Sequence, residues 1–258
     1  MRDRNPDACR RALWLAGALA PLASALAGEN DAATVALFGG AGDRVEGSGK
    51  VVEEPRDVAG FSRLTVQGPL KVRVEAADAD RVVVRADDNV APLIETKLLG
   101  GTLAIGVRAG ASFRTRTDVQ VRVQAKRLDG VVLRGSGEVR VDRVDTDVFE
   151  ATLQGSGDIV VDALRAGAVA VSIAGNGDVR LKGTAGSLGV VIDGSGDLHA
   201  ADLPAKQVAV RVRGSGDARV HATDELQVEV DGSGDVHYRG APKISKSIRG
   251  SGSVTALR

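Results

Sequence analysis

The chain has 258 residues, with Lys+Arg and Asp+Glu both at 34, so it carries no formal net charge. That balance excludes a nucleic-acid surface built on an overall basic excess. Aromatics are only 2% of residues while glycine reaches 33, which suits stacked aliphatic side chains and many tight corners better than a globular core filled with rings.

Residues 1–27 read as a signal peptide. Arg10 and Arg11 precede the apolar run 12–22, and Ala25-Leu26-Ala27 is a small-x-small cleavage site. The run is far shorter than the ~20 residues needed to span a bilayer. The single cysteine, Cys9, lies before the run, whereas a lipoprotein carries its acylated cysteine after it. Cleavage after Ala27 therefore leaves a chain without a disulfide, thiol nucleophile or thiolate metal site. The expected destination is the periplasm, the cell surface or the medium, with no membrane span left after cleavage. Residues 28–57, rich in Gly, Asp and Glu, read as a flexible leader.

Residues 58–258 read as one domain. Over 58–128, Leu64-x-Val66, Leu70-x-Val72-x-Val74, Val82-x-Val84, Leu103-x-Ile105 and Val119-x-Val121-x-Val123 alternate as strands with one buried face. Gly100-Gly101 predicts a hairpin turn. This part is expected to form irregular N-terminal coils that continue or cap the repeat after it.

Over 129–258 the motif Gly-(Ser/Asn)-Gly-(Asp/Glu/Ser) begins at Gly135, Gly155, Gly175, Gly194, Gly214, Gly232 and Gly250, in steps of 18–20 residues. Aliphatic residues alternate on both sides of each copy, as in Val131, Leu133, Val139 and Val141 around the first and Val171, Ile173, Val179 and Leu181 around the third. Such a step is too short for a βαβ unit of roughly 30 residues or a propeller blade of roughly 40. It fits one coil of an all-β solenoid, a single-stranded right-handed parallel β-helix of about 19 residues per coil, its coils about 4.8 Å apart. The hand follows from the rule for parallel crossovers. Each coil reads as strand, glycine corner, strand and a looser return. One coil alone buries too few aliphatic groups to offset its ordering entropy, so stability requires stacking.

The corner residues are read as structural. The second glycines are Gly137, Gly157, Gly177, Gly196, Gly216, Gly234 and Gly252, and the acids are Asp158, Asp178, Asp197, Asp217 and Asp235, with Glu138 and Ser253 closing the first and last copies. The glycines are expected to supply positive φ, and the acids to accept backbone N–H groups across the turn. The Gly-Ser-Gly-Asp series, Val58-Ala59-Gly60-Phe61, Asp88-Asn89, Gly101-Thr102-Leu103 and Tyr238-Arg239-Gly240-Ala241-Pro242 together resemble the bacterial "putative auto-transporter adhesin head GIN domain" family, over about residues 50–258. The resemblance implies an exported right-handed β-helix that serves as an adhesin. No C-terminal set of membrane-barrel strands is legible, so self-translocation is not expected.

Three function classes follow. The first is a non-enzymatic envelope protein for adhesion or scaffolding through its solenoid surface, with a glycan or another envelope protein as partner. The second is a carbohydrate-active β-helix enzyme, and the third a scaffold that stacks end to end. No catalytic, cofactor or metal residue is assigned, and no oligomeric state. A calcium stack along the acids is the alternative to a structural corner, and ligand number weighs against it, since an ion wanting six to eight oxygens meets one carboxylate per level. A catalytic carboxylate pair requires unequal environments, whereas these acids recur at every level. His199 and His237 fall two coils apart, too far to share a zinc. Gly47-Ser48-Gly49-Lys50 lacks the Ser or Thr of a phosphate loop, having Val51 there, and reads as a degenerate first corner. Two positions after the motif acid, Arg140, Val160, Arg180, His199, Arg219, His237 and Thr255 form an expected outward column with a basic bias. It offers either a strip for anionic glycan or mere solubility and edge protection.

Overall fold

A computed structural model describes residues 44–257; the expected signal peptide lies outside them. The N-terminal strands are β1 (Arg44–Glu46), β2 (Val51–Arg56), β3 (Arg63–Gln67), β4 (Lys71–Ala76), β5 (Arg81–Asp87), β6 (Ile94–Leu99), β7 (Thr102–Val107), β8 (Ser112–Arg114) and β9 (Gln120–Ala125). A 3-10 turn, Ala91–Leu93, separates β5 from β6. The repeat region holds β10 (Gly130–Gly135), β11 (Glu138–Val141), β12 (Val144–Gly155), β13 (Asp158–Gly175), β14 (Asp178–Gly194), β15 (Leu198–Gly214), β16 (Ala218–Gly232), β17 (Val236–Arg239), β18 (Lys243–Gly250) and β19 (Val254–Ala256).

From β10 onward every pairing is parallel, and each coil lies on the next as a β-solenoid. The expected looser return is instead strand: β13 runs 18 residues and β14 17, from one corner to the next. Within β13 the inward residues are Ile159 and Val161, then Leu164 and Ala166, then Val169, Val171 and Ile173. Period-two alternation slips by one residue at two places, which divides the coil into three arms. Coil length varies only on the middle arm. Register shifts fall between Val161 and Leu164, between Arg180 and Lys182, and between Ala200 and Gln207. The corners stay aligned throughout.

The N-terminal part both continues and caps the stack. β3 and β4 form a coil seated on β10 and β11, turning at Gly68. β7 and β9 lie beneath β3 and β4, so this coil comes out of chain order. β5 and β6 add antiparallel strands, and Gly100-Gly101 (φ 53 and 79) joins β6 to β7 as the expected hairpin. The leader boundary at residue 57 is corrected. Residues 44–46 pair with β8, and β2 pairs antiparallel with β5. Val51-Val52-Glu53-Glu54-Pro55-Arg56 alternates, with every second residue half-buried, and Arg56 donates to the Ala91 carbonyl at 2.9 Å. Reading 28–57 as a single composition window obscured this strand.

The core is a column of Val, Ile, Leu and Ala side chains running the length of the stack, with Phe149 its largest fully buried member. All the aliphatic strand positions expected over 58–128 are buried.

Candidate functional site

The corners stack as expected. Gly135, Gly155, Gly175, Gly194, Gly214, Gly232 and Gly250 are direct partners from coil to coil, each with φ between 112° and 144°. The second glycines do not have positive φ. A Cβ on Gly157, Gly177, Gly196, Gly216, Gly234 or Gly252 would stand 2.0–2.4 Å from the carbonyl oxygen of the glycine one coil away, and Gly137 would meet the Leu70 carbonyl at 2.4 Å. They are glycine because backbones touch there. The middle residue continues the ladder: Ser156 N–H donates to Gly135 O at 3.0 Å, and Asn176 N–H to Gly155 O at 2.9 Å.

The acids work between coils rather than across their own turns. Asp158 accepts from the N–H of Asp178 (3.3 Å), Asp197 from Asp217 (2.9 Å), Asp217 from Asp235 (2.9 Å) and Asp235 from Ser253 (2.8 Å). Ser253 also holds the Asp235 carboxyl below the usual carboxylate range. Asp217→Ala is therefore expected to cost about 1 kcal/mol in chemical denaturation. Asp217→Asn, which keeps an acceptor oxygen, should recover most of it. Equal losses for the two would refute the acceptor role.

One step of the acid ladder differs. At Asp178 the carboxylate accepts from Arg180 at 3.0 Å and lies 3.9 Å from His199 Nε2. Asp178, Asp197 and His199 thus bring potential ligand atoms within 4.8 Å of one another. Arg219 lies 3.2 Å from His199 Nδ1. Burial, then Arg180 and Arg219, push the His199 pKa down. Two guanidinium groups already balance the two carboxylates, which removes the charge that would draw a cation.

The outward column is continuous: Arg140, Val160, Arg180, His199, Arg219, His237 and Thr255 are successive partners. It also extends further than the repeat indicates, because Arg73 pairs with Arg140 and Arg122 with Arg73. Both sit in the pattern Val-x-Val, at Val72-Arg73-Val74 and Val121-Arg122-Val123, which matches Val139-Arg140-Val141. That match was the available signal, but the out-of-order coil hid the adjacency. Carboxylates flank the column. Arg73 pairs with Asp142 (3.1 Å) and Glu75 (3.3 Å), Arg140 with Asp162 (2.8 Å), and Arg122 with Glu53 (3.5 Å). These exposed pairs are weak and exchangeable. Next to them are shallow recesses of about 590 and 180 Å³, lined by Lys71, Arg73, Arg81, Arg122, Arg140, Gln120 and carboxylates.

Gly47-Ser48-Gly49 is not a corner. It wraps the turn after β5, where Asp87 is buried and accepts from Thr115 (2.6 Å) and Thr117. Those bonds, Thr115 first, hold the Asp87 carboxyl below its usual range. Ser48 Oγ donates to Asp88 at 2.6 Å, and Asn89 Nδ2 to the Glu46 carbonyl at 2.7 Å. A Cβ on Gly47 would lie 2.0 Å from Asp87 Oδ2. The knot fastens β1 and β2 to the domain.

A family described as "Putative auto-transporter adhesin, head GIN domain" matches residues 60–242. The chain belongs to this family. No curated protein matches it. A crystal structure named as a putative lipid binding protein from Parabacteroides distasonis is 25% identical, with TM-score 0.72, over 84% of this chain and all of that one. One named as a putative adhesin from the same species is 27% identical, with TM-score 0.66, over 83% and all of that chain. A third, named as a putative adhesin from Bacteroides fragilis, is 24% identical with TM-score 0.77, over 83% and all of that chain, and shares the fold. The GIN domain here is thus an adhesin-like envelope module. No helix among its described residues is long and apolar enough to cross a membrane.

Proposed function

We propose that this GIN domain is an exported, non-enzymatic rod of the bacterial cell envelope that serves adhesion or scaffolding through the outer surface of its coils. The observation that carries this is the structural use of the repeated acids. Four of them hold the N–H of the next coil, and the fifth, Asp178, whose surroundings differ from those of Asp197, is tied to Arg180 at 3.0 Å, so all five are engaged in holding the coils. The recesses among the described residues near the arginine column are lined mainly by charged and amide side chains, with Val72 and Val83 beside them, which suits an anionic glycan or an envelope protein better than an acyl chain. Exposed arginines supply bidentate donors for carboxylate or sulfate groups. Aromatic stacking platforms for neutral sugars are scarce at 2% aromatic content.

A glycan array run beside turnover assays on acidic polysaccharides tests the reading. Binding of anionic glycans without turnover is expected. Reversing Arg73, Arg122 and Arg140 to Glu should cut that binding at least tenfold at 50 mM salt, with a smaller effect at 200 mM. Unchanged binding removes the column from the site, and turnover lost in Asp197→Asn removes the non-enzymatic reading. Cell fractionation with N-terminal sequencing tests export, the expected mature chain starting at Gly28.

A further inference from the structure

The two ends of the stack are finished differently. At the N-terminal end the inward side chains of the outermost parallel coil, Leu103, Ile105, Val121 and Val123, are at most 1% exposed. Antiparallel β5 and β6 flank that coil, and Val90, Ala91 and Ile94 join its core. At the other end the last described coil is open. β18 pairs with β16 on one side, and all its residues except Ile248 are exposed. Ile244, the continuation of a fully buried column, is 42% exposed. An unpaired strand with an apolar floor beside it is a template for another strand.

One residue breaks the pattern. The inward column Ala151, Val171, Val190, Val210 and Val228 is aliphatic through every coil, and the register places Lys246 next in it. A strand laid on β18 would seal this ammonium among valines, where an unpaired charge is heavily penalised. The penalty follows from the place of Lys246 in the column and holds wherever the chain ends.

We propose that Lys246 guards the open end against pairing with a second copy of this chain. Among the described residues β2 and β6 are also paired on one side only, but β18 is the edge at which the end of the aliphatic column is uncovered, so the contact open to an unguarded chain there is β18 against β18 of a second copy. Centred on β18, that contact is two-fold and closed, so it gives a dimer and not a filament. In it the two Lys246 side chains meet near the axis, adding like-charge repulsion to desolvation.

Sedimentation equilibrium of the mature chain and of Lys246→Val, at matched concentrations, tests this. Valine is what the preceding coil carries at this position, so the fold should tolerate it; circular dichroism checks that, and Lys246→Ala serves if valine fails to fold. The wild type and Lys246→Glu, which keeps a charge in the column, are expected as monomers, and Lys246→Val or Lys246→Ala at twice the monomer mass. A wild-type dimer or larger species overturns the guard. So does a folded, monomeric Lys246→Val, and filaments of it would overturn the two-fold β18 contact.

Discussion

Gly177→Ala should lower stability by about 3 kcal/mol, the upper end of overpacking costs, or roughly 6–12 °C in Tm for a domain of this size. The reason lies in the neighbouring coil. A Cβ here would stand 2.0 Å from the Gly157 carbonyl oxygen and 2.9 Å from Leu153 Cδ2. Backbone cannot rotate away as a side chain can, so the two coils must separate locally, straining the adjoining ladder. Gly60→Ala is the matched control. Gly60 has φ 82, and a Cβ added there would meet nothing within 4 Å, so it should lose only the left-handed backbone term, about 1–2 kcal/mol. Thermal melts by circular dichroism compare them, and equal midpoints would show that close coil approach is not what selects the second glycine.

The second large effect is expected at Phe149→Ala, with a loss of about 3–5 kcal/mol. Phe149 is fully buried and heads the column Val169, Leu188, Val208, Leu226 and Ile244. Ile244→Ala, at the open end of the same column, should cost less than about 1 kcal/mol, since 42% of the residue is already exposed. Because each coil touches only its neighbours, the Phe149 variant should also broaden the urea transition as coils near the cavity open first. A uniform loss along the column would contradict this local picture.

Much of the architecture was legible because the repeat writes the same local chemistry seven times. The Gly135-to-Gly250 series, the flanking aliphatic pairs and the Gly100-Gly101 hairpin each follow from positive φ, period-two burial or turn geometry. What escaped depends on contacts between distant segments. Nothing local indicates that β3 and β4 insert between β7–β9 and β10–β11, and so the repeat alone starts the arginine column at Arg140 rather than Arg122. The corner alone also cannot distinguish a glycine needed for both φ and space, such as Gly175, from one needed for space alone, such as Gly177. Nor does it show that Asp197 bonds to the N–H of Asp217 and not within its own turn. Those distinctions exist only once a second coil lies alongside. Lys246 was visible as a lysine but not as an interruption, because its meaning comes from Val228 one coil before it.

The confinement of length changes to the middle arm bears on how such a rod can diverge. Residues gained or lost between Val161 and Leu164, or between Ala200 and Gln207, leave the glycine corners and both adjoining arms in step. Mutation can therefore remodel one side of the molecule while the other two remain a fixed frame. In the proposed envelope role, that side is where related strains should differ most, and where a foreign peptide could be grafted without disturbing the stack.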